Sequence, residues 1–172
     1  KAAASQPRIN AFLDVVPEIV NTADAPSDIQ GRITFKGVGL TYPDSGIRAL
    51  DGVDFDLEPG KTLAIIGRTG SGKTTLAQLV ARLYDPTDGV VEVDGHPLSN
   101  LHLPSLRAAI GYVPQDVFLF SDTIASNIAF GVDGAEPRDI EQAAQDAYVH
   151  DNIVAFPKGY ETLLGERGVN LS

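Results

Sequence analysis

The chain has 172 residues, with 13 Lys+Arg against 23 Asp+Glu and a formal net charge of −10. Hydrophobic residues make up 43% and charged residues 21%, globular proportions that exclude disordered, collagen-like and low-complexity classes, and the length suits one domain of ordinary size. The absence of cysteine excludes a disulfide framework, a zinc-thiolate site and a thiol nucleophile. No apolar run approaches the ~18 residues of a membrane span and the N-terminus lacks signal-peptide order, so the chain reads as soluble. An acidic balance without a basic stripe argues against nucleic acid as a partner. Any anionic ligand needs a local device that overcomes the repulsive mean field.

In chain order, Ile9, Phe12, Leu13 and Val16 lie on one helical stripe, which predicts an amphipathic helix from Lys1 to about Val20. Asn21–Asp28, rich in Asn, Asp, Ser and Pro, reads as a linker. Ile33 and Phe35, and then Val53, Phe55 and Leu57, alternate with polar residues and predict two half-buried strands around a turn at Tyr42–Gly46. Thr62-Leu63-Ala64-Ile65-Ile66 does not alternate and ends in glycine, as a central strand covered on both faces does. Leu76, Leu79, Val80 and Leu83 then mark a helix. Val90, Val91 and Val93 predict a strand closed by a turn at Asp94-Gly95, and Ile110–Val113 predicts an internal strand. Helices follow over Ile124–Phe130 and Pro137–Tyr148, with Pro137 in a first turn. The order predicts a mixed α/β fold: parallel strands with helices, joined by an antiparallel portion near the N-terminus.

Directly after the apolar strand stands Gly67-Arg68-Thr69-Gly70-Ser71-Gly72-Lys73-Thr74, an uninterrupted GxxxxGK[ST] match with a predicted strand before it and a helix after it. Glycines at 67, 70 and 72 free the backbone to curl, so that consecutive N–H groups point inward as an anion nest at a helix N-terminus. Lys73 adds a cation for the β- and γ-phosphates, and the Thr74 hydroxyl suits the coordination shell of Mg²⁺. Arg68 and Thr69 contribute backbone, with no side-chain role called for. This is the local device that the net charge requires. The loop alone does not identify the base. No NKxD follows it, which argues against a guanine reader, and a small-molecule kinase fits the loop equally well.

Further residues narrow the choice. Tyr42-Pro43 lies 25 positions before Gly67, Pro59-Gly60 follows the second strand, and Tyr112-Val113-Pro114-Gln115 follows the loop after a strand-like stretch ending in Val93-Asp94-Gly95. Together with the loop they resemble the nucleotide-binding domain of an ATP-binding cassette (ABC) transporter. Gln115-Asp116-Val117-Phe118-Leu119-Phe120, with Thr123-Ile124 and Asn127-Ile128, resembles the exporter branch. The resemblance covers about Ile33 to Ser172, and the preceding Arg8-Ile9 and Leu13-Asp14 resemble the stretch that follows an exporter's last membrane helix. It implies a P-loop NTPase core over residues 29–172, with residues 1–28 as helix and linker from a membrane domain.

The resemblance also implies roles. Tyr42 would stack on adenine; Gly67, Arg68, Thr69, Gly70, Ser71, Gly72, Lys73, Thr74 and Thr75 would surround the phosphates of ATP; Thr74 and Gln115 would attend Mg²⁺. Gln115 would link nucleotide state to the membrane domain, an act suited to an amide that both donates and accepts. Gly165–Gly168 resembles a motif touching the membrane subunit's intracellular loops, and Leu171-Ser172 the opening of the Leu-Ser-Gly-Gly-Gln signature. Implied partners are a transmembrane domain and a second ATPase domain, head to tail, at the cytoplasmic face of the membrane.

The family's apolar strand ending in Asp-Glu and its later histidine have no counterpart after Gly67; Val90–Asp94 reads as a hairpin strand, and His96, His102 and His150 as surface residues. Such a chain is expected to bind nucleotide better than it turns it over. Rival readings are a soluble P-loop kinase and an ABC ATPase without transport.

Overall fold

The structure is a computed structural model that describes residues 17–116 and 118–165. The chain divides at Tyr112/Val113 into two compact units. The predicted helix stripe at Ile9–Val16 lies outside the described residues, and Pro17–Val20, which the prediction also included, is not helical.

The first unit is built on a four-stranded antiparallel sheet of order β2-β1-β3-β4, with β1 Ile33–Thr41, β2 Arg48–Leu57, β3 Asp88–Val93 and β4 His96–Pro97. Both half-buried strands and the turn between them match the sequence reading. Phe35 and Val38 are both buried although three residues apart, out of phase for a regular strand. Gly37, at φ +56°, resolves this: a register shift falls between Phe35 and Val38, and such a bulge rotates the second half of β1 back toward the core. Phe35 stacks on its cross-strand partner Phe55 with centroids 4.4 Å apart.

On that inner face lies α1, Lys73–Val80, through the fully buried Leu79. Leu79 joins Phe35, Val38, Leu40, Leu50 and Val91 in the core, which α2 (Leu103–Ala108) closes with Leu103 and Leu106. Burying such a leucine contributes about 1.5–3 kcal/mol. The helix is shorter than its apolar stripe suggests. Ala81 caps it, Arg82 at φ +48° reverses the chain, and Leu83 emerges into solvent. Arg107 donates to the Arg82 carbonyl at 2.9 Å, placing a cation at the negative end of the helix.

The predicted central strands Thr62–Ile66 and Ile110–Val113 take no strand assignment, and Ile66 and Val113 are exposed. A strand covered on both faces is fixed by ladder partners along its edges. Among the described residues, none of the sheet strands pairs with these two segments.

The segment Asn21–Asp28 has no regular structure, yet side chains fasten it. Asn21 Oδ1 accepts from the Leu103 N–H at 2.8 Å, and Ser27 Oγ from the His102 N–H at 3.1 Å, at the start of α2. The predicted linker is thus tied to the start of α2 near both of its ends. His102 itself caps α2.

The second unit holds α3 Ile124–Ile128, α4 Pro137–Asp146 and α5 His150–Val154 around Ile124, Ala144, Ile153 and Leu164. Thr123 caps α3 by accepting from the Ser126 N–H at 3.0 Å. Asn127 pairs with both the N–H and the carbonyl of Phe120, at 2.7 and 3.1 Å. Pro137 occupies the first turn of α4, as predicted. Gly165 is the last described residue; the rest of Gly165–Gly168 and Leu171-Ser172 lie outside.

Asp94 opens the β3–β4 turn in left-handed conformation, φ +53°. Its carboxylate accepts from the N–H groups of Gln30, Gly31 and Arg32 at 2.7, 3.3 and 2.9 Å. Burial pushes this carboxyl up, but the backbone donors outweigh it and hold it below the ordinary carboxylate range. A depressed carboxyl stabilises fully above the unfolded value near ~4, and that contribution disappears as pH falls through the folded value. Asp94→Asn is therefore expected to lower the unfolding free energy by about 1–2 kcal/mol at neutral pH. In urea titrations the gap to wild type should close as pH falls below about 4.

Candidate functional site

The residue before α1 is Gly72, at φ +84°, and no side chain caps the helix. The first intrahelical bond runs from the Leu76 N–H to the Gly72 carbonyl at 3.1 Å. The amides of the first turn consequently have no partner within the helix and carry its positive end.

Glycine is required here for space as well as for φ. A Cβ on Gly72 would meet the Ala49 carbonyl oxygen at 2.6 Å and Leu50 Cδ2 at 2.8 Å, so the start of α1 presses on the backbone of β2. A Cβ on Gly67 would meet Ser71 Oγ at 2.5 Å, where the loop curls over itself. Gly70, at φ +80°, turns the chain with open space around it. The Ser71 N–H donates to the Arg68 carbonyl at 3.2 Å. Lys73 Nζ reaches back to the Gly67 and Arg68 carbonyls at 2.9 and 2.8 Å. The loop thus encircles its own cation, and Arg68 and Thr69 are exposed.

Tyr42 closes one side of this cradle. A cavity of about 240 Å³ is lined by Tyr42, Ile47, Arg48, Ala49 and Gly70–Thr75. Arg48 adds little free positive charge, since it pairs with Asp51 at 2.6 Å and Asp88 at 2.9 Å. Those partners, Asp51 first, raise its pKa further. Lys73 is the cation of the cradle.

A larger concavity of about 590 Å³ lies on the outer face of the sheet. Its cations are taken: Arg32 pairs with Asp56 at 2.6 Å and Lys36 with Glu92 at 2.7 Å. The Arg32 and Thr34 hydrogen bonds hold the Asp56 carboxyl down at about 2. That surface is a self-neutralised ladder, and it offers an anion less than the smaller cradle does.

The donor set suits a polyphosphate: first-turn amides without a partner in the helix, one lysine, and glycines at 67 and 72 where the chain packs too closely for a Cβ. Among the described residues no group of three or more His, Cys, Asp or Glu could hold a metal ion. A hard cation at the cradle would take the Thr74 hydroxyl with ligand oxygens and water, and Mg²⁺ commonly binds with few protein ligands. The structure brings Tyr42 together with Gly70–Thr75. Gln115 lies exposed at a bend in the second unit. His150 Nδ1 is 2.9 Å from the Tyr160 hydroxyl, a packing role. Sequence reading missed Ile47, Arg48 and Ala49 as walls; nothing in their spacing from Gly67 marks them, because β2 brings them there.

No helix among the described residues is long and apolar enough to cross a membrane. A profile for the ABC transporter family matches residues 50–172. Over its whole length the chain is 44% identical to an uncharacterized ABC transporter ATP-binding protein, YfiB, of Bacillus subtilis, and covers 30% of it. Over 98% of its length it is 46% identical to an ATP-dependent lipid A-core flippase of Thiobacillus denitrificans, covering 29% of that protein. A bacterial Atm1-family ABC exporter solved with ATP bound shares its backbone path at a TM-score of 0.90 and 38% identity, over 99% of this chain and 30% of that one. The expected α/β architecture with its antiparallel N-terminal portion is thereby borne out, and the chain spans less than a third of each of these relatives. On its matched profile, its identities and its shared backbone, the chain belongs to the ABC transporter family.

Proposed function

We propose that the chain is the ATP-binding part of an ABC exporter, which couples ATP binding and hydrolysis to movement of a substrate across a membrane. The observation that carries this reading is the uncapped start of α1, curled around Lys73 and flanked by Tyr42. In this reading Tyr42 stacks on adenine, and the backbone from Gly67 through Thr75 surrounds the phosphates. Lys73 swings from the Gly67 and Arg68 carbonyls to phosphate oxygens, exchanging two neutral acceptors for charged ones. Thr74 and Gln115 serve Mg²⁺, whose charge neutralises phosphate oxygens when bound. Gln115 relays nucleotide state to the transmembrane domain.

Phe118, Phe120 and Phe130 form an exposed aromatic cluster in the second unit, with successive centroids 4.9 and 4.4 Å apart. Apolar surface of this kind supports docking against the transmembrane partner. The partners are that domain and a second ATPase domain, head to tail, and the site faces the cytoplasm. The relatives named as flippase and exporter favour transport over a soluble kinase.

Lys73→Ala should weaken ATP binding by at least about tenfold, since a hydrogen-bonded charge contact is worth roughly 1.5–3 kcal/mol. Calorimetry reads the change, and unaltered affinity would remove Lys73 from the site. Gly72→Ala should distort the loop, because its Cβ meets backbone at 2.6 Å. A loss of about 1–3 kcal/mol in stability together with lost ATP binding is expected, read by thermal unfolding and calorimetry.

A further inference from the structure

Beyond the loop itself, α1 carries a second polar pair on one face. The Tyr42 hydroxyl lies 2.9 Å from Thr75 Oγ1 and donates to Gln78 Oε1 at 3.2 Å. Thr75 and Gln78 are three apart, neighbours on one helical face. Thr75 is buried at 4% exposure, so its hydroxyl hydrogen needs an acceptor, and the Tyr42 oxygen is in reach. One proton order satisfies all three groups: Thr75 donates to Tyr42 and Tyr42 donates to Gln78. The opposite end of Tyr42 is fixed as well. Its N–H donates to the Ile47 carbonyl at 2.9 Å and its carbonyl accepts from the Gly46 N–H at 2.8 Å. The ring meets Tyr84 edge to face, centroids 5.2 Å apart.

We propose that Gln78 is a positioning residue for the base end of the nucleotide: it holds the Tyr42 ring, through the hydroxyl, at a fixed place relative to the amides of α1. This rests on the assignment of Tyr42 to the base. A tyrosine on a turn otherwise samples several rotamers, and holding it still removes an ordering cost from each binding event. Phosphate cradle and aromatic platform are then referenced to one helix, which sets their separation. Gln78 touches no phosphate in this scheme, so its effect is confined to ligands that carry a base.

The test uses the intact protein that carries this chain, titrated by calorimetry with Mg²⁺ and either ATP or inorganic tripolyphosphate. The proteins are wild type, Tyr42→Phe, Gln78→Ala and the double variant. Tyr42→Phe keeps the ring and loses both hydrogen bonds; Gln78→Ala replaces a half-buried helical residue with the best helix former, so folding is not at stake. Each is expected to weaken ATP by about threefold to tenfold, the worth of one neutral hydrogen bond, and to leave tripolyphosphate unchanged. The double variant should be no weaker than Tyr42→Phe, because both substitutions sever the same bond. Equal weakening of ATP and tripolyphosphate, full additivity, unchanged ATP affinity or tighter ATP binding would each overturn the inference. Wild-type protein that binds neither ligand would instead remove the functional reading beneath it.

Discussion

Gly72 meets two demands at once, and no other residue type meets both. It holds a left-handed φ that starts α1 without a cap, and it lets that start press directly on the backbone of β2. A side chain would block the contact, and a capping side chain before the helix would occupy the amides of the first turn. Those amides are the proposed phosphate site. The antiparallel sheet, with Gly37 bulging β1 inward, builds the surface against which the helix is set, and Leu79 secures the helix to it near its last turn.

Electrostatics follows from the same arrangement. A chain with a net charge of −10 repels polyphosphate at long range, but screening over roughly 8–10 Å leaves contacts within the cradle to decide binding. The other basic side chains around the sheet are committed to carboxylates, Arg32 to Asp56, Lys36 to Glu92 and Arg48 to Asp51 and Asp88. Exposed pairs of that kind contribute little stability each. Their consequence is that, of the two cations lining the cradle, Arg48 is neutralised and Lys73 is left with the helix start to meet an anion.

The residues that announce themselves in sequence are those whose chemistry is local. A glycine-rich loop before a helix and an alternating strand such as Val53–Leu57 each carry their signal within a few residues. Tertiary partners decide the rest. Thr62–Ile66 has the composition of a central strand, yet composition cannot supply the ladder partners that a strand needs. Asp94 sits in what looks like a hairpin turn, and only the fold shows its carboxylate collecting the amides of Gln30, Gly31 and Arg32. Asn21–Asp28 has linker composition, but the same Asn and Ser side chains that favour turns also accept from the backbone amides of His102 and Leu103 at the start of α2. Tyr42 was legible through its resemblance to a family position, whereas its bond to Gln78 spans 36 residues and has no local mark.

In the proposed function the backbone of one loop and helix start, rather than any side-chain basin, receives the phosphates. Amide-resolved hydrogen exchange on the intact protein, with and without Mg²⁺-ATP, addresses it directly. The largest slowing is expected on the amides of Gly70–Thr75, with the sheet face around Arg32 and Lys36 unchanged. Nucleotide binding that leaves those loop amides exchanging at their free rate, or that protects the sheet face instead, would contradict it.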